Sequence, residues 1–148
     1  MAYVTPRTWV PGELVTAAQL NQDVRDNISY LYARAHCFIW TVAGVLGAGA
    51  DQGFHLRGYG DITFGEAEVL VKTAPTGQAL IVDINKNGTS LWSATPANRP
   101  QIAAGATAGE TTSFDTTTAT DDDVLTMDVD QVGSGTAGSD LTVVLWYV

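Results

Sequence analysis

The sequence predicts a mainly β protein: a jelly-roll-like antiparallel β-sandwich at the C-terminal end, preceded by an extended N-terminal arm and one α-helix. Three observations carry this. Charged residues make up 16% of the chain, against about 25% in an average soluble domain, while 45% is hydrophobic and 15 residues are Gly. That balance suits strands and turns more than surface helices. From residue 37 onward, short apolar runs alternate with Gly, Pro and Asn punctuation. Only residues 16 to 36 repeat apolar side chains at the helical period. The 148 residues suit one domain with a short appendage, divided as an arm over 1–15, a helix over 16–36 and a β knob over 37–148.

The arm reads as extended because Pro6 and Pro11 each disfavour helix at the residue before them. It carries Trp9, Val10 and Pro11 with few polar neighbours. Such an arm packs on another surface or folds back on its own domain, since terminal segments are ordered only when tied down.

The helix opens with Thr16-x-x-Gln19, a capping box, and Val15 with Leu20 fits the hydrophobic staple. Ala17, Leu20, Val24, Ile28, Leu31 and Ala35 fall in a stripe about 80° wide at 100° per residue. Gln22, Asp23, Arg25, Asp26 and Ser29 take the opposite face. A stripe this narrow on a helix of about 27 Å fits a small parallel bundle of copies joined by Leu20, Val24, Ile28 and Leu31. Packing on the chain's own sheet is the other reading, and it usually needs a wider face.

In the knob, Phe38–Val42 reads as a first strand and a glycine-rich stretch follows to Gly60. Glu66–Thr73 and Gln78–Ile84 read as paired strands joined by Ala74-Pro75-Thr76-Gly77. Thr89–Trp92 continues after Asn87-Gly88, Ser93–Gly109 reads as a loop, and Thr111–Thr118 alternates weakly. In Val124–Val132 the residues Leu125, Met127 and Val129 alternate strictly with polar neighbours. Leu141–Val148 is nearly all apolar, so it must be central or covered by another copy, because a bare edge of that kind invites aggregation.

Several motifs promise chemistry. Asp83-x-Asn85-x-Asn87-Gly88 opens like a calcium loop, but positions 9 and 12 of such a loop need an oxygen ligand and a bidentate Glu, and Leu91 and Ala94 stand there. Asn87-Gly88 between apolar runs is a hairpin signal instead, both residues tolerating positive φ. Gly133-Ser134-Gly135-Thr136-Ala137-Gly138 spells G-x-G-x-x-G, yet an apolar strand follows it rather than a helix. It reads as a hairpin loop whose small residues let another backbone approach. Asp121-Asp122-Asp123 has the oxygens to attract a hard cation, but an acidic run at a strand start is more often a solvated turn. His36 and His55 are paired with no nucleophile by any recognisable spacing. The lone Cys37 gives no disulfide framework or zinc cluster and reads as a small buried side chain. We expect no enzyme activity, no cofactor and no metal.

Charge limits the partners. Arg7, Arg25 and Arg34 balance Glu13, Asp23 and Asp26, so residues 1–36 are neutral, while residues 37–148 hold 4 basic and 13 acidic groups and all of the net −9. An acidic body repels nucleic-acid phosphates and anionic membranes. No apolar run reaches the roughly 18 residues of a membrane span. The first residues lack a basic-then-apolar pattern, so no signal peptide is expected and synthesis belongs in a cytoplasm.

The opening TPRTWVPGELVTAAQLNQDVRDNISYLYA resembles the N-terminal segment of many tailed-bacteriophage virion proteins. The residues that carry the resemblance are Thr8, Trp9, Gly12, Glu13, Val15, Thr16, Ala17, Leu20, Asn21, Arg25, Asp26 and Asn27. ALIVDINKNGTSLWS, NRPQIAAG and DVLTMDVDQVGSGTAGSDLTVVLWYV are similar to compact β knobs on phage surface and fibre proteins. Together these segments cover most of the chain. The opening motif marks a phage structural protein and does not distinguish capsid from tail. The resemblance implies a virion anchor at Trp9, Val10 and Pro11, a trimeric stalk, and a knob at the virion surface. The small size, one anchor plus one knob with no long shaft, and the neutral arm with an acidic head favour a capsid decoration or head-fibre spike that meets other virion proteins. The alternative that the resemblance leaves is a tail-fibre or tail-tip protein whose Trp92, Tyr59 or Trp146 stacks on a host glycan.

Overall fold

The computed structural model describes residues 4–34, 36–50, 52 and 60–148. Ala35, His55 and Tyr59, singled out above, lie outside the described residues. The chain divides at His36/Cys37 into an N-terminal unit and a second unit, Cys37–Tyr147.

The second unit is built from antiparallel strands. They are β1 (Cys37–Val45), β2 (Ile62–Thr73), β3 (Leu80–Lys86), β4 (Thr89–Ser90), β5 (Gln101–Ile102), β6 (Ala108–Thr111), β7 (Thr118–Ala119), β8 (Leu125–Gln131) and β9 (Ser139–Tyr147). One sheet runs β1-β9-β2-β6, with β7 also on β2; the other runs β4-β3-β5, with β8 also on β3. The period-2 alternation decides what each buries. Phe38 and Trp40 of β1, Val69 of β2, Leu80, Val82 and Ile84 of β3, Leu125, Met127 and Val129 of β8, and Leu141, Val143 and Leu145 of β9 form one shared core. The mainly β, sandwich-type class expected from composition is the observed one.

The closing strand is central. β9 pairs with β1 on one side and β2 on the other, so its apolar run is satisfied within the chain and needs no second copy.

Two expected hairpins are corrected. β2 and β3 do not pair; they belong to different sheets, and Ala74–Ala79 carries the chain across. Pro75 has no N–H to give a ladder. Thr76 spends its backbone elsewhere, donating to the Thr136 carbonyl at 2.9 Å and accepting from Gly135 N at 2.9 Å. Likewise β8 and β9 do not pair, and Gly133–Gly138 is a second crossing between the sheets. The two crossings clasp each other. A Cβ on Gly133 would stand 2.7 Å from Thr76 N, and one on Gly135 would stand 2.7 Å from Thr76 Oγ1. Close backbone approach was legible in the glycines; the partner was not.

Asn87-Gly88 forms a two-residue hairpin turn between β3 and β4, with φ of 51° and 79° and Lys86 opposite Thr89. Its carboxamide locks the turn to the next loop: Asn87 Nδ2 donates to Asp123 Oδ1 at 2.6 Å and Asn87 Oδ1 accepts from Val124 N at 2.9 Å. The Thr120 N–H and the Asn87 carboxamide hold the Asp123 carboxyl down at about 2.

The 93–109 region is not one loop. It holds a 3₁₀ turn, Pro96–Asn98, then β5 and β6. Residues 112–117, expected to alternate as a strand, form none; Phe114 packs inward from this stretch.

Candidate functional site

The N-terminal unit is a helix with the arm laid along it. Thr16 Oγ1 accepts from Gln19 N at 3.3 Å and Gln19 Oε1 accepts from Thr16 N at 2.8 Å, so the capping box is made. The helix is not uniform. α1 (Ala17–Leu20) and α2 (Asn27–Arg34) flank a π-wound stretch, Asn21–Asp26. The uniform 100° per residue assumed from sequence therefore fails in the middle. The stripe advances by 4, 4 and 3 residues from Leu20 to Leu31, a longer step than a heptad seam takes. A π turn, closed from i to i+5, absorbs extra residues of this kind.

Leu20, Val24, Ile28 and Leu31 are 48, 48, 61 and 58% exposed. Four large apolar side chains thus stand in water along one helix. The polar positions Asp23 and Asn27 are the covered ones. Asn27 is 5% exposed and grips the arm as a strand partner would: Val4 N donates to its Oδ1 at 3.0 Å, and its Nδ2 donates to the Val4 carbonyl at 2.7 Å. Arg7 pairs with Glu13 at 2.6 Å, reaches Asp23 at 3.7 Å, and stands 5.3 Å over the Trp9 ring. Gly12, at φ 84°, lets the chain turn back, and Glu13 N donates to the Val10 carbonyl to close that turn.

Of the two expectations for the arm, folding back holds for Val4 and Arg7. Trp9, Val10 and Pro11 sit at the bend with exposed side chains, so the arm's apolar end is presented outward. An Asn27→Ala change removes both bonds to Val4. It should release the arm from the helix, seen as faster hydrogen exchange at Val4 and faster proteolysis before Pro11. The loss is about 1–3 kcal/mol, with the helix and knob intact. Unchanged exchange would count against this clamp.

On the knob, sequence reasoning missed one grouping. Glu66 and Glu68 share the outer face of β2, and Glu110 lies opposite Glu68 on β6. Their carboxylate oxygens come within 4.8 Å of one another. Trp146, half-buried on β9, donates its Nε1–H to Glu68 at 3.0 Å. The i, i+2 spacing of Glu66 and Glu68 was visible; Glu110 required the β2–β6 register. A hard cation takes about six to eight oxygens, and this group supplies three carboxylates.

The calcium-like stretch disperses its side chains. Asp83 accepts from Ser90 Oγ at 2.8 Å, Asn85 donates to Asp128 at 2.6 Å, and Asn87 goes to Asp123. Burial is the main cause that raises the Asp83 carboxyl above its usual range. Trp92 is fully buried against Phe114, with ring centroids 5.2 Å apart, so it is a core residue and not a sugar platform. Cys37 is half-buried rather than buried.

No family model, no curated protein and no solved structure matches this chain.

Proposed function

We propose that the chain is a tailed-bacteriophage virion structural protein, a trimeric capsid decoration or head-fibre spike anchored by its N-terminal arm. The observation that carries this reading is the exposed stripe Leu20/Val24/Ile28/Leu31 on a helix that the arm covers only along Asp23 and Asn27. A lone copy leaves this stripe in water; three parallel copies bury it. The resemblance of the opening segment to virion proteins supplies the particle. Within that segment, Gly12 makes the turn, Glu13 holds Arg7, Thr16 caps the helix and Asn27 clamps Val4. The exposed Trp9, Val10 and Pro11 then form the end that meets another virion protein.

Deleting residues 1–15 is the test. The truncated chain should remain trimeric by light scattering and should no longer coat particles made without the full-length protein. Continued attachment of the truncated chain would sink the anchor assignment.

A second reading, a tail-fibre or tail-tip protein that recognises a host surface glycan, is favoured by one observation. Trp146 lies half-exposed beside Glu66, Glu68 and Glu110, an aromatic ring and hydrogen-bond acceptors on one sheet face. If this reading holds, Trp146→Ala should abolish binding of the full chain to host cells while leaving its oligomeric state unchanged. Equal binding by both chains would rule Trp146 out.

A further inference from the structure

We infer that Asn87-Gly88 is a latent self-modification site, an Asn-Gly pair whose deamidation is held off by the lock on Asp123 and Val124. The inference stands on the knob alone and does not depend on the helix or on the proposed virion role.

The sequence brings the reaction. Asn87-Gly88 is the one Asn-Gly pair in the chain, and both residues lie exposed at the turn. In such a pair the Gly nitrogen can attack the side-chain carbonyl carbon of the Asn, because no Cβ on the Gly shields its approach. A bond forms between Gly88 N and Asn87 Cγ, and the Cγ–Nδ2 bond breaks. The carboxamide nitrogen leaves as ammonia, taking the proton that Gly88 N gives up. Water then opens the five-membered imide at either carbonyl. The products are an Asp at position 87 or its isomer, in which the main chain runs through the side-chain carbon.

The fold brings the restraint. For the ring to close, the Asn87 side chain must swing over its own backbone to meet Gly88 N. Both ends of the carboxamide are held instead by the 123–124 segment. Nδ2 donates to Asp123 Oδ1 at 2.6 Å, and Oδ1 accepts from Val124 N at 2.9 Å. The backbone adds a third tie, Asn87 N donating to the Val124 carbonyl at 2.8 Å. The bond to Asp123 is the strong one, because its acceptor is charged. With its carboxyl held at about 2, Asp123 stays ionised across neutral pH. Asp123 is fixed in its turn: its Oδ2 accepts from Thr120 N at 2.8 Å and pairs with Lys86 Nζ at 3.4 Å.

The modification has a structural consequence. An Asp at 87 sets a carboxylate oxygen against Asp123 Oδ1, where the Nδ2 donor stood, and like charges at that range repel. The tie between the β3–β4 turn and the 120–124 segment is lost. The isomer does more, since it adds a backbone atom to a two-residue turn that places Lys86 opposite Thr89. Deamidation is therefore a one-way release of this turn.

The test incubates the folded full chain at neutral pH and follows residue 87 by peptide mapping, which separates Asn, Asp and the isomer. Asp123→Ala should lose Asn87 at least tenfold faster than the natural chain, a factor equivalent to about 1.4 kcal/mol. Lys86→Gln, which removes the ion pair of Asp123 but no bond to Asn87, should stay close to the natural rate. Equal rates in Asp123→Ala and the natural chain overturn the lock, and so does an equal acceleration by Lys86→Gln. If Asp123→Ala does not fold, the natural chain decides: unfolded in urea it should lose Asn87 at least tenfold faster than when folded, and equal rates overturn the protection. Asn87→Asp, the product itself, should lower the melting temperature of the knob, and an unchanged melting temperature overturns the release.

Discussion

If the helix stripe joins three copies as proposed, an Ile28→Asp chain is expected to be a monomer at concentrations where the natural chain assembles. Ile28 is the most exposed member of the stripe, at 61%, so the lone chain loses little by the change. In the bundle each copy would bury it, and a buried apolar side chain of this size contributes about 1.5–3 kcal/mol. Three copies lose that together and gain three crowded carboxylates. The association constant should fall by roughly a thousandfold or more, at tenfold per 1.4 kcal/mol. Sedimentation equilibrium reads the mass, and circular dichroism should show the β signal unchanged. Trimers that persist with Asp at position 28 would place the interface elsewhere. A conservative Ile28→Leu change should keep the trimer.

How much of this was legible beforehand follows from range along the chain. The capping box, the Asn87-Gly88 turn and the alternation of Leu125, Met127 and Val129 are local patterns, and each appears as read. The apolar run of β9 correctly implied a covered strand, because its composition leaves no other stable option. Pairing was a different matter. Glu66–Thr73 and Gln78–Ile84 look like a hairpin because only four residues separate them. Thr76 is instead bonded to Gly135 and Thr136, some 60 residues away, and no local signal announces that clasp. Gly133 and Gly135 announced only that something comes close. The Glu66, Glu68 and Glu110 grouping fails to show in sequence for the same reason, since its third member arrives from β6. In the N-terminal unit the capping signal located the helix start, while the π turn was invisible. It depends on how a stripe advancing by 4, 4 and 3 residues is accommodated, not on any single residue's propensity.

Trp92→Ala is expected to cost the knob about 3–5 kcal/mol, the range for emptying a large aromatic site. Three features place it at the upper end. The side chain is fully buried, so the whole ring volume becomes a cavity. Its Nε1–H donates to the Ser113 carbonyl, an acceptor left unpaired by the change. It also links the two sheets: Trp92 stacks on Phe114, which in turn lies 5.9 Å from Phe64 of β2. The backbone repeats the link, with Leu91 donating to the Ile84 carbonyl at 2.9 Å and accepting from Asp115 and Thr116. Removing the ring should therefore loosen residues 113–116 first, visible as accelerated hydrogen exchange there, and lower the melting temperature by at least about 12 °C. Trp146→Ala, on the outer face, should cost less than half as much, because water already reaches that ring. A Trp92→Ala protein that melts with the natural one would mean that the sheets are held together without the Trp92–Phe114–Phe64 chain. A Trp92→Phe chain, which keeps a ring against Phe114 but loses the bond to Ser113 and part of the indole volume, should fall between the natural chain and Trp92→Ala.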